Sequence, residues 1–532
     1  MKVLVCDPVS AKGIALLEQR PEFEVVVLPK RLSEAELLPV VKDVVAMVVR
    51  SETKVTRKVI EAANALRVVG RAGVGVDNVD VEAATERGVV VMNTPAGNTI
   101  STAELSFAMI LSLARKVPQA HASMTAGKWD RKQFQGTELH GKTLGVLGLG
   151  RIGGEVAKRA LAFGMRVVAY DPFLTEARAQ ALGIELMADP DGLYRLADYI
   201  TVHMPVTEQT RGMLNADAFT RMKPRVCIVN CARGEIIVEA DLLAALDSGK
   251  IAGAALDVYA TEPLPADHPF RKHPAITLTP HLGASTQEAQ EKCGIEVAEV
   301  IAGYLLTGEV RNAVNLPYLD AKTYEQVRPY LTLGEKLGTL LAQLAPPQVD
   351  RLYITYGGKA QELPNIDPVS RSVLMGFLSR ASVKELNNVN VRSLASTLGL
   401  TVEEKRSSEP VTFNEWLHVQ VFRDGEKVAS AGGTFFGSPD NPRIVRVFSQ
   451  PTEIVPSGVV MLLSNKDRPG IVGYLGTLMG RHKVNIASMS LSRDTAGGHA
   501  LTVLNLDSVP PAELLEEIQK DPDITNVKVV KL

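Results

Sequence analysis

The sequence predicts an α/β protein with two Rossmann-like, doubly wound domains facing each other across a hinged cleft. An α+β intervening domain and a C-terminal ferredoxin-like domain are predicted to follow. Three observations support this fold class. Short apolar runs alternate with amphipathic stretches in two successive series, as in parallel sheets flanked by helices. A glycine fingerprint lies between a strand and a helix of the second series. The C-terminal segment has the order β-α-β-β-α-β.

Composition and length exclude several classes of protein. A chain of 532 residues with 45% apolar residues has room for three or more globular domains. Its net charge of −2 gives no electrostatic footprint for nucleic acid or for a membrane surface, so we expect neither partner. The first apolar run is too short for a signal peptide, and no run approaches a membrane span, which predicts a cytoplasmic protein. The cysteines lack CxxC spacing, which predicts reduced, buried thiols and no metal site: Cys6, Cys227, Cys231 and Cys293.

The first series of strands and helices occupies residues 1–93, and the first part of the first domain is predicted to be residues 1–97. A capping box, Ser33-x-x-Glu36, opens one of its helices. The pattern breaks at residues 94–98, and a long helix follows, predicted to open with Ser101-x-x-Glu104 and to run to about residue 117. The predicted strands of this series are residues 3–6, 24–28, 44–49, 68–69 and 89–92.

Two stretches of this first series have the composition of a ligand site. Arg50 and Ser51 follow the third strand, and open parallel sheets bind ligands outside the carboxyl ends of their strands. The loop at residues 70–78, GRAGVGVDN, follows the fourth strand, and its glycines would present backbone N–H groups to an anion.

A dinucleotide fingerprint opens the second series. Gly148, Gly150 and Gly153 form a GxGxxG turn between an apolar strand and a helix. The first glycine permits the tight turn, the second lets the backbone approach a pyrophosphate, and the third lets the helix pack on the sheet. Asp171 ends the next strand and would accept hydrogen bonds from ribose hydroxyls while repelling a 2′-phosphate. The pattern predicts NAD rather than NADP as the cofactor.

The second series spans residues 142–281 within a dinucleotide-binding domain predicted at residues 98–282, and a second break follows near residue 283. A helix predicted to open with Ser285-x-x-Glu288 and to run to about residue 306 returns to complete the first domain, as residues 283–315. The two breaks would then be the hinges of the cleft. A helix is predicted from residue 239 to 246, and strands near residues 144–147, 167–170, 199–203, 226–230, 253–257 and 276–279.

Three strand-end side chains of the second series have the chemistry of proton transfer and carboxylate binding. His281 follows directly on a strand and would lie at the cleft, and Glu262, in the loop after the preceding strand, could orient its imidazole. Arg233 follows another strand, where a guanidinium could bind a carboxylate with two hydrogen bonds. Together they predict a base, its orienting acid and an anion clamp.

The remaining chain divides into two further domains. Residues 316–453 mix a helix at 330–344 with strands at 352–356 and 417–422, and contain no chemical motif. Residues 451–457 are predicted to be a linker, and residues 454–532 the ferredoxin-like unit. The elements of that unit are predicted at residues 459–464, 470–481, 486–493, 500–506, 511–520 and 524–531.

Several motifs together resemble the D-2-hydroxyacid dehydrogenase family. They are GLGRIG at 148–153, NCARGE at 230–235, AALDVY at 254–259 and PHLGAST at 280–286. GRAGVGVDN at 70–78 and GKWDRK at 127–132 resemble the long, phosphoglycerate-oxidising branch of that family, whose members carry an intervening domain and a C-terminal ACT regulatory domain. The resemblance is dense over residues 1–315 and again over 454–532; residues 318–453 match mainly by position and length.

The resemblance implies roles for particular residues. Arg233, Glu262 and His281 would be catalytic. Substrate would be held in the first domain by Arg50, Ser51, Gly73, Val74 and Gly75. Cofactor contacts would come from Gly148, Gly150, Arg151, Ile152, Gly153, Asp171, Met204, Cys231, Ala232, Asp257, Gly283 and Ala284. L-Serine would be held by Asn465, where some members carry histidine, by Asp467, and by Asn485 from the other side of an interface.

The implied activity is NAD-dependent oxidation of 3-phospho-D-glycerate, the first step of L-serine biosynthesis, in a homotetramer inhibited by L-serine. Two alternatives stay open at this point. One is a glyoxylate or hydroxypyruvate reductase on the same core, against which a C-terminal amino-acid sensor argues. The other is a non-catalytic NAD-sensing module, which would need no base such as His281.

Overall fold

The computed structural model describes residues 1–317, 321–380, 386–409 and 415–532, so part of the predicted 316–453 segment lies outside the described residues. The described chain contains four sheets of five, seven, six and four strands. None of its described helices combines the length and the apolar composition needed to cross a membrane.

The first sheet is parallel, with strand order β2-β1-β3-β4-β5. The order reverses between β1 and β3, so a crevice for ligands forms at their carboxyl ends. The strands are β1 (Lys2–Val5), β2 (Glu24–Val27), β3 (Ala46–Val49), β4 (Val68–Arg71) and β5 (Val90–Asn93). The helices are α1 (Ala11–Glu18), α2 (Glu34–Val40), α3 (Arg57–Ala62) and α4 (Val81–Glu86).

The second sheet is also parallel, with order β12-β11-β10-β9-β6-β7-β8 and a reversal between β6 and β9. Its strands are β6 (Thr143–Leu147), β7 (Arg166–Tyr170), β8 (Glu185–Leu186), β9 (Tyr199–Val202), β10 (Val226–Asn230), β11 (Ile251–Leu256) and β12 (Ile276–Leu278). Its helices are α5 (Thr99–Arg115), α6 (Val117–Thr125), α7 (Arg151–Ala162), α8 (Glu176–Ala181), α9 (Pro190–Leu196), α10 (Ala216–Arg221) and α11 (Glu239–Asp247).

Helix α12 (Gln287–Thr307) returns to the first sheet. Its residues Cys293, Val297 and Ile301 are buried in one core with β1, β3, β4 and β5. Gly70 on β4 allows this close contact, because a Cβ there would lie 2.4 Å from the Cδ1 of Ile301. The chain returns to the first domain after the second break because this apolar face of α12 packs on the first sheet.

Only one of the three predicted capping boxes forms. Ser33 and Glu36 bond reciprocally to each other's backbone at the start of α2, as predicted. The prediction for α12 was wrong, because Thr286 is the N-cap and accepts from the N–H of Ala289. The prediction for α5 was also wrong: the helix begins at Thr99, and Asn98 gives no side-chain cap. That helix ends at Arg115, before a left-handed Lys116, and α6 follows.

The third sheet has order β14-β13-β15-β16-β17-β18, with only the β13–β14 pair parallel. Its last strand includes residues 451–454 of the linker predicted at 451–457; for these residues the prediction was wrong, because residues 450–454 pair with β17. The strands are β13 (Arg351–Gly358), β14 (Thr401–Ser407), β15 (Glu415–Arg423), β16 (Glu426–Phe435), β17 (Pro442–Val447) and β18 (Gln450–Ile454). The helices are α13 (Ala321–Leu344), α14 (Asp367–Leu378) and α15 (Val391–Thr397).

The C-terminal sheet is antiparallel, with order β20-β21-β19-β22, and its element order is the predicted one. The elements are β19 (Val459–Lys466), α16 (Ile471–Arg481), β20 (Ile486–Arg493), β21 (His499–Leu506), α17 (Ala512–Gln519) and β22 (Ile524–Lys531). One face packs on α16 and α17 through Met461 and Leu463. The other face, with Val460 and Leu462, shares one buried core with the third sheet.

Candidate active site

The glycine fingerprint has the geometry that its sequence predicts. Gly148 adopts φ +90°, the left-handed region that favours glycine. A Cβ on Gly153 would lie 2.0 Å from the carbonyl oxygen of Gly148, so only glycine lets α7 pack this closely. Gly150 faces open space and is the N-cap of α7 without any side-chain cap. The first N–H groups of α7 therefore remain available to a phosphate.

Asp171 lies beside this turn, as predicted. One carboxylate oxygen accepts the N–H of Leu149 at 2.8 Å, and the other accepts the N–H of Phe173 at 2.9 Å. Gly150, Arg151 and Asp171 line one cavity of about 850 Å³. The fingerprint and the acid thus form one site at the reversal point of the second sheet, and the residues present fit the phosphates and ribose of a dinucleotide.

The other predicted cofactor residues lie along the carboxyl ends of the same strands. Met204 is buried against Gly148, where a Cβ would come within 2.7 Å of its Cγ. Cys231 is buried beside Ala232, and burial raises the pKa of its thiol to about 12, so the thiol stays protonated. Ile152 is half-buried on α7.

Asp257 organises the turn that follows β12. Its carboxylate accepts the N–H groups of Leu282 at 2.7 Å and Gly283 at 2.9 Å and the hydroxyl of Thr279 at 2.6 Å. Burial raises the pKa of Asp257, while these hydrogen bonds oppose that effect. Ala284 ends this turn. The Asp257 carboxylate therefore fixes the backbone of the turn by its hydrogen bonds to residues 282 and 283.

His281 and Glu262 meet at the mouth of the cleft. The Nδ1 of His281 lies 2.7 Å from one Glu262 oxygen, while the other oxygen accepts the N–H of Tyr259 at 3.0 Å. Burial acts to raise the pKa of Glu262, but its hydrogen bond and charge interaction with His281 hold that pKa below its ordinary value. His281 has φ +56°, and its side chain is 45% exposed. The pairing leaves Nε2 as the ring nitrogen available for proton transfer.

Arg233 follows β10 and reaches across the cleft. Its Nε and Nη2 each lie 3.0 Å from one oxygen of Asp77, in the loop after β4, and its Nη1 donates to the carbonyl of Ala232 at 2.6 Å. A Cβ on Gly75 would lie 1.7 Å from Nη2, so that loop lies directly against the guanidinium. The structure thereby brings the predicted loop and the predicted arginine together.

The predicted substrate residues of the first domain lie at its own reversal point. The N–H of Arg50 donates to the buried carboxylate of Asp7 at 2.6 Å, and the carbonyl of Arg50 accepts from the side chain of Asn78 at 2.7 Å. Ser51 is exposed beside it. Gly73 has φ +149°, and the carbonyl of Val74 accepts from Asn93 at 2.6 Å. These bonds fix the backbone and leave the Arg50 guanidinium near the crevice.

Two functional candidates of the loop at 70–78 were missed. Burial, and then the charge of Arg233, lower the pKa of Arg71 to about 10, and among the described residues its buried Nε–H has no partner. Asp77 pairs with Arg233. Both side chains lie in the glycine-rich loop, to whose backbone alone the sequence prediction assigned anion binding. The available signal was a charged residue on each side of the five small or apolar residues 72–76, two of which are glycines.

The three predicted effector residues are not brought together within one chain. Asn465 is buried and accepts from the hydroxyl of Thr502 at 2.7 Å. Asp467 pairs with Arg493 at 2.8 Å, beside the end of β21 that begins with His499. Asn485 donates to Asp507 at 2.7 Å, at the other end of that strand, roughly 24 Å away at about 3.4 Å per residue.

A second cavity, of about 630 Å³, lies at the opposite edge of the nucleotide-binding sheet. Asp198, Arg225 and Ala252, at the amino ends of strands, line it, and it contains none of the predicted site residues. The fingerprint, Arg233 and His281 all lie at the carboxyl ends, which is where open α/β sheets bind ligands, so the chemistry belongs there.

Family models match three parts of the chain. The NAD-binding domain of D-isomer-specific 2-hydroxyacid dehydrogenases matches residues 107–283. The D-3-phosphoglycerate dehydrogenase intervening domain matches residues 326–448, and the ACT domain matches residues 459–523. The order of the three domains along the chain is the order that the sequence predicted.

Full-length relatives and a solved structure extend these matches. The chain is 43% identical over 531 residues to D-3-phosphoglycerate dehydrogenase of Synechocystis, covering all of this chain and 95% of the relative. It is 41% identical over 532 residues to the enzyme of that name from Methanocaldococcus jannaschii, covering both chains completely. NAD-dependent formate dehydrogenase of Staphylococcus aureus, solved with NAD, matches 59% of this chain and 98% of its own at 31% identity and a TM-score of 0.53.

Proposed function

We propose, from the premise that this chain belongs to the D-3-phosphoglycerate dehydrogenase family, that it oxidises 3-phospho-D-glycerate to 3-phosphohydroxypyruvate with NAD, the first step of L-serine biosynthesis. The observation that carries the proposal is the convergence of the His281–Glu262 pair with Arg233 on one cleft beside the dinucleotide fingerprint. A base, an anion clamp and a cofactor site are the components that the reaction requires.

NAD is held by the second domain. The N-terminus of α7 and the turn from Gly148 to Gly153 would bind its phosphates, Asp171 would bind the adenosine ribose, and the strand ends with Cys231 and Asp257 would line the nicotinamide side. When bound, NAD supplies the acceptor for the hydrogen that leaves C2 of the substrate.

His281 acts as the general base. Its Nδ1 is bonded to Glu262, so Nε2 faces the cleft and takes the proton of the C2 hydroxyl. Glu262 fixes the tautomer and the ring plane and stabilises the imidazolium that forms. Its own orientation is fixed in turn by the N–H of Tyr259. The backbone of His281 is positioned by the turn that Asp257 organises.

The substrate's negative groups are held by cations from both domains. Arg233 binds the C1 carboxylate and polarises the oxygen on C2 as it becomes a ketone. The phosphate on C3 binds in the first domain, to Arg50, Ser51 and the backbone from Gly73 to Gly75. Arg71, whose buried Nε–H has no partner among the described residues, adds a further positive charge. A phosphate on C3 needs such a cluster, whereas glyoxylate has no phosphate.

That difference bears on the alternatives. A glyoxylate or hydroxypyruvate reductase would have no use for the intervening and ACT domains, both of which this chain carries. A non-catalytic NAD sensor would not need the His281–Glu262 pair. Cytoplasmic location and assembly as a homotetramer remain predictions.

L-Serine is the proposed effector, bound by the ACT domain. Asp467 and Asn485 lie at opposite ends of β21 in one chain, so a shared site needs Asn485 from a second subunit. Asp467 carries a charge suited to an ammonium group, although Arg493 pairs with it in the single chain. The buried side chain of Asn465 supports the loop.

Steady-state kinetics test the proposed function. We expect turnover with 3-phosphoglycerate and NAD, and in reverse with 3-phosphohydroxypyruvate and NADH, with kcat/KM at least a hundredfold above that for glyoxylate. A preference for glyoxylate or unphosphorylated hydroxypyruvate would favour the reductase alternative. Tight NAD binding with no turnover of any 2-hydroxy acid would favour the sensor.

A further inference from the structure

Arg233 is held by one group from each side of the cleft. From the first domain, one oxygen of Asp77 lies 3.0 Å from Nε and 3.0 Å from Nη2. From the second domain, the carbonyl of Ala232 accepts from Nη1 at 2.6 Å. A guanidinium has five N–H groups, so these bonds leave one on Nη1 and one on Nη2. Those two hydrogens form the pair that a substrate carboxylate could accept.

The positive charges near Arg233 favour a carboxylate beside it. The charges of Arg233 and Arg50 both act on Arg71, and Asp77, which contacts Arg233, is an acid that opposes them. Without Asp77, the guanidinium of Arg233 would face like charges with only the Ala232 carbonyl to orient it. Like charges destabilise each other, and the flexible arginine would move away from the cleft.

The loop that carries Asp77 is built for this contact. Gly75 leaves room for Nη2, since a Cβ there would lie 1.7 Å from it and 2.7 Å from the Asp77 oxygen. The loop is tied to β5 through Val74 and Asn93 and to the turn after β3 through Asn78, which donates to the carbonyls of Arg50 and Thr53. Asp77 is therefore presented by a backbone that is fixed on both sides.

We propose that Asp77 is a positioning residue, which holds the Arg233 guanidinium across the cleft so that its two remaining N–H groups face the substrate carboxylate. The inference rests on the proposed function of Arg233 as the carboxylate clamp. Because Asp77 and Arg233 belong to different domains, the pair also joins the two walls of the cleft in the geometry that the substrate requires. The Asp77 side chain is 72% exposed, so the pair adds little to stability and its effect lies in orientation.

Asp77→Asn is the central variant, with Asp80→Asn as its matched control. Asp80 lies two residues beyond that loop and caps α4 by accepting the N–H of Ala83 at 2.8 Å, a role that asparagine fills equally well. We expect Asp77→Asn to raise the KM for 3-phosphoglycerate at least tenfold, with the Kd for NAD within twofold of wild type. Asp77→Glu, which keeps the charge, should recover part of the loss. Asp80→Asn should behave as wild type.

A double-mutant cycle with Arg233→Lys separates positioning from a general structural effect. Lysine cannot form the two-donor contact, so Asp77→Asn should cost less than twofold in kcat/KM in the Arg233→Lys background. Full additivity of the two losses would overturn the proposal. A lower KM in Asp77→Asn would also overturn it, because Asp77 would then compete with substrate for Arg233.

Calorimetry of 3-phosphoglycerate binding to the enzyme–NADH complex distinguishes a failure of the positioning role from a failure of the proposed function. A wild-type chain that binds 3-phosphoglycerate without oxidising it would refute the proposed function, while a tenfold weaker Kd in Asp77→Asn would still support the role of Asp77. A wild-type chain that neither binds nor oxidises it would overturn both. Thermal melting of each variant shows whether a loss reflects misfolding.

Discussion

At the scale of single residues, the site depends on how each reactive side chain is oriented by a second one. His281 is held by Glu262 through Nδ1 and by Asp257 through the backbone of its turn. Arg233 is held by Asp77 and by the Ala232 carbonyl. Orientation of this kind decides rate, because a base must lie within hydrogen-bond reach of the proton that it removes.

Replacing the base should abolish most turnover without disturbing cofactor binding. His281→Asn keeps a polar side chain but removes proton transfer, and the loss of a general base typically costs about 10²–10⁴ in rate. We expect kcat to fall in that range, with the Kd for NAD, measured by fluorescence titration of NADH, unchanged. His273→Asn is a matched control, since His273 lies before β12, at the opposite end of the strand from His281, where its side chain pairs with Asp247 at 3.4 Å and accepts the N–H of Ala275 at 3.2 Å. A kcat within threefold of wild type would remove His281 from the base role.

Replacing its partner should act more mildly. The pKa of Glu262 is held below its ordinary value, so the carboxylate stays ionised through the working range and to lower pH than a free glutamate would. In Glu262→Gln the protonated imidazole loses its counter-charge, and the acidic limb of the kcat/KM profile should move to lower pH, with a smaller loss of kcat than in His281→Asn. Profiles from pH 5 to 9 would measure this. An acidic limb at the same pH as in wild type would show that Glu262 does not act on the group that titrates.

At the scale of elements, the position of α7 depends on one glycine. Gly153 allows the helix to approach the turn, since a Cβ would lie 2.0 Å from the Gly148 carbonyl oxygen, whereas a Cβ on Gly154 meets nothing within 4 Å. Both positions lie in the first turn of α7.

These neighbours form a matched pair of variants. Gly153→Ala should displace the N-terminus of α7 from the phosphates and raise the Kd for NAD at least tenfold. Gly154→Ala should leave the Kd unchanged and raise the melting temperature slightly, because alanine is favoured over glycine in a helix by about 1 kcal/mol. Equal affinity in the two variants would show that the fingerprint does not depend on the close packing of α7.

At the scale of the whole molecule, the ACT domain packs against the third sheet. Its sheet shares a buried face with the third sheet, and residues 451–454 of the predicted linker belong to a paired strand. The third domain in turn contacts the first, where Asn387 donates to the carbonyl of Gly88 at 3.0 Å. A change at the C-terminal sheet therefore has a packed route to the walls of the cleft.

Serine regulation is tested best at Asp467. Asp467→Ala should leave the uninhibited kcat nearly intact and raise the serine concentration for half-inhibition at least tenfold, because the ammonium partner is lost. Asp494→Ala, an acid in the neighbouring hairpin whose side chain contacts Thr495, is the control. If millimolar serine has no effect on wild type, the domain serves assembly only. Unchanged inhibition by serine in Asp467→Ala would show that serine binds elsewhere than at this loop.

Much of the fold and of the site could be predicted from local patterns. Short apolar runs, the spacing of Gly148, Gly150 and Gly153, and the acid at Asp171 are short-range features, and the structure has them where they were predicted. His281 and Arg233 each follow a predicted strand. Because ligands bind at the carboxyl ends of parallel strands, both could be assigned to the site. Helix starts were less predictable, because Ser101 and Ser285 match the capping pattern although neighbouring residues begin the helices.

The sequence by itself determined the parts of this protein that depend on neighbours along the chain: the strand and helix types, the dinucleotide turn and the residue types of the catalytic set. Only the tertiary structure decided which distant groups meet. Arg233 and Asp77 are 156 residues apart, and their contact depends on how two separately folded domains close. Residues 451–457 were predicted to be a linker, yet residues 450–454 pair with the edge of β17. Such contacts arise from packing between elements, and local propensity carries no information about them.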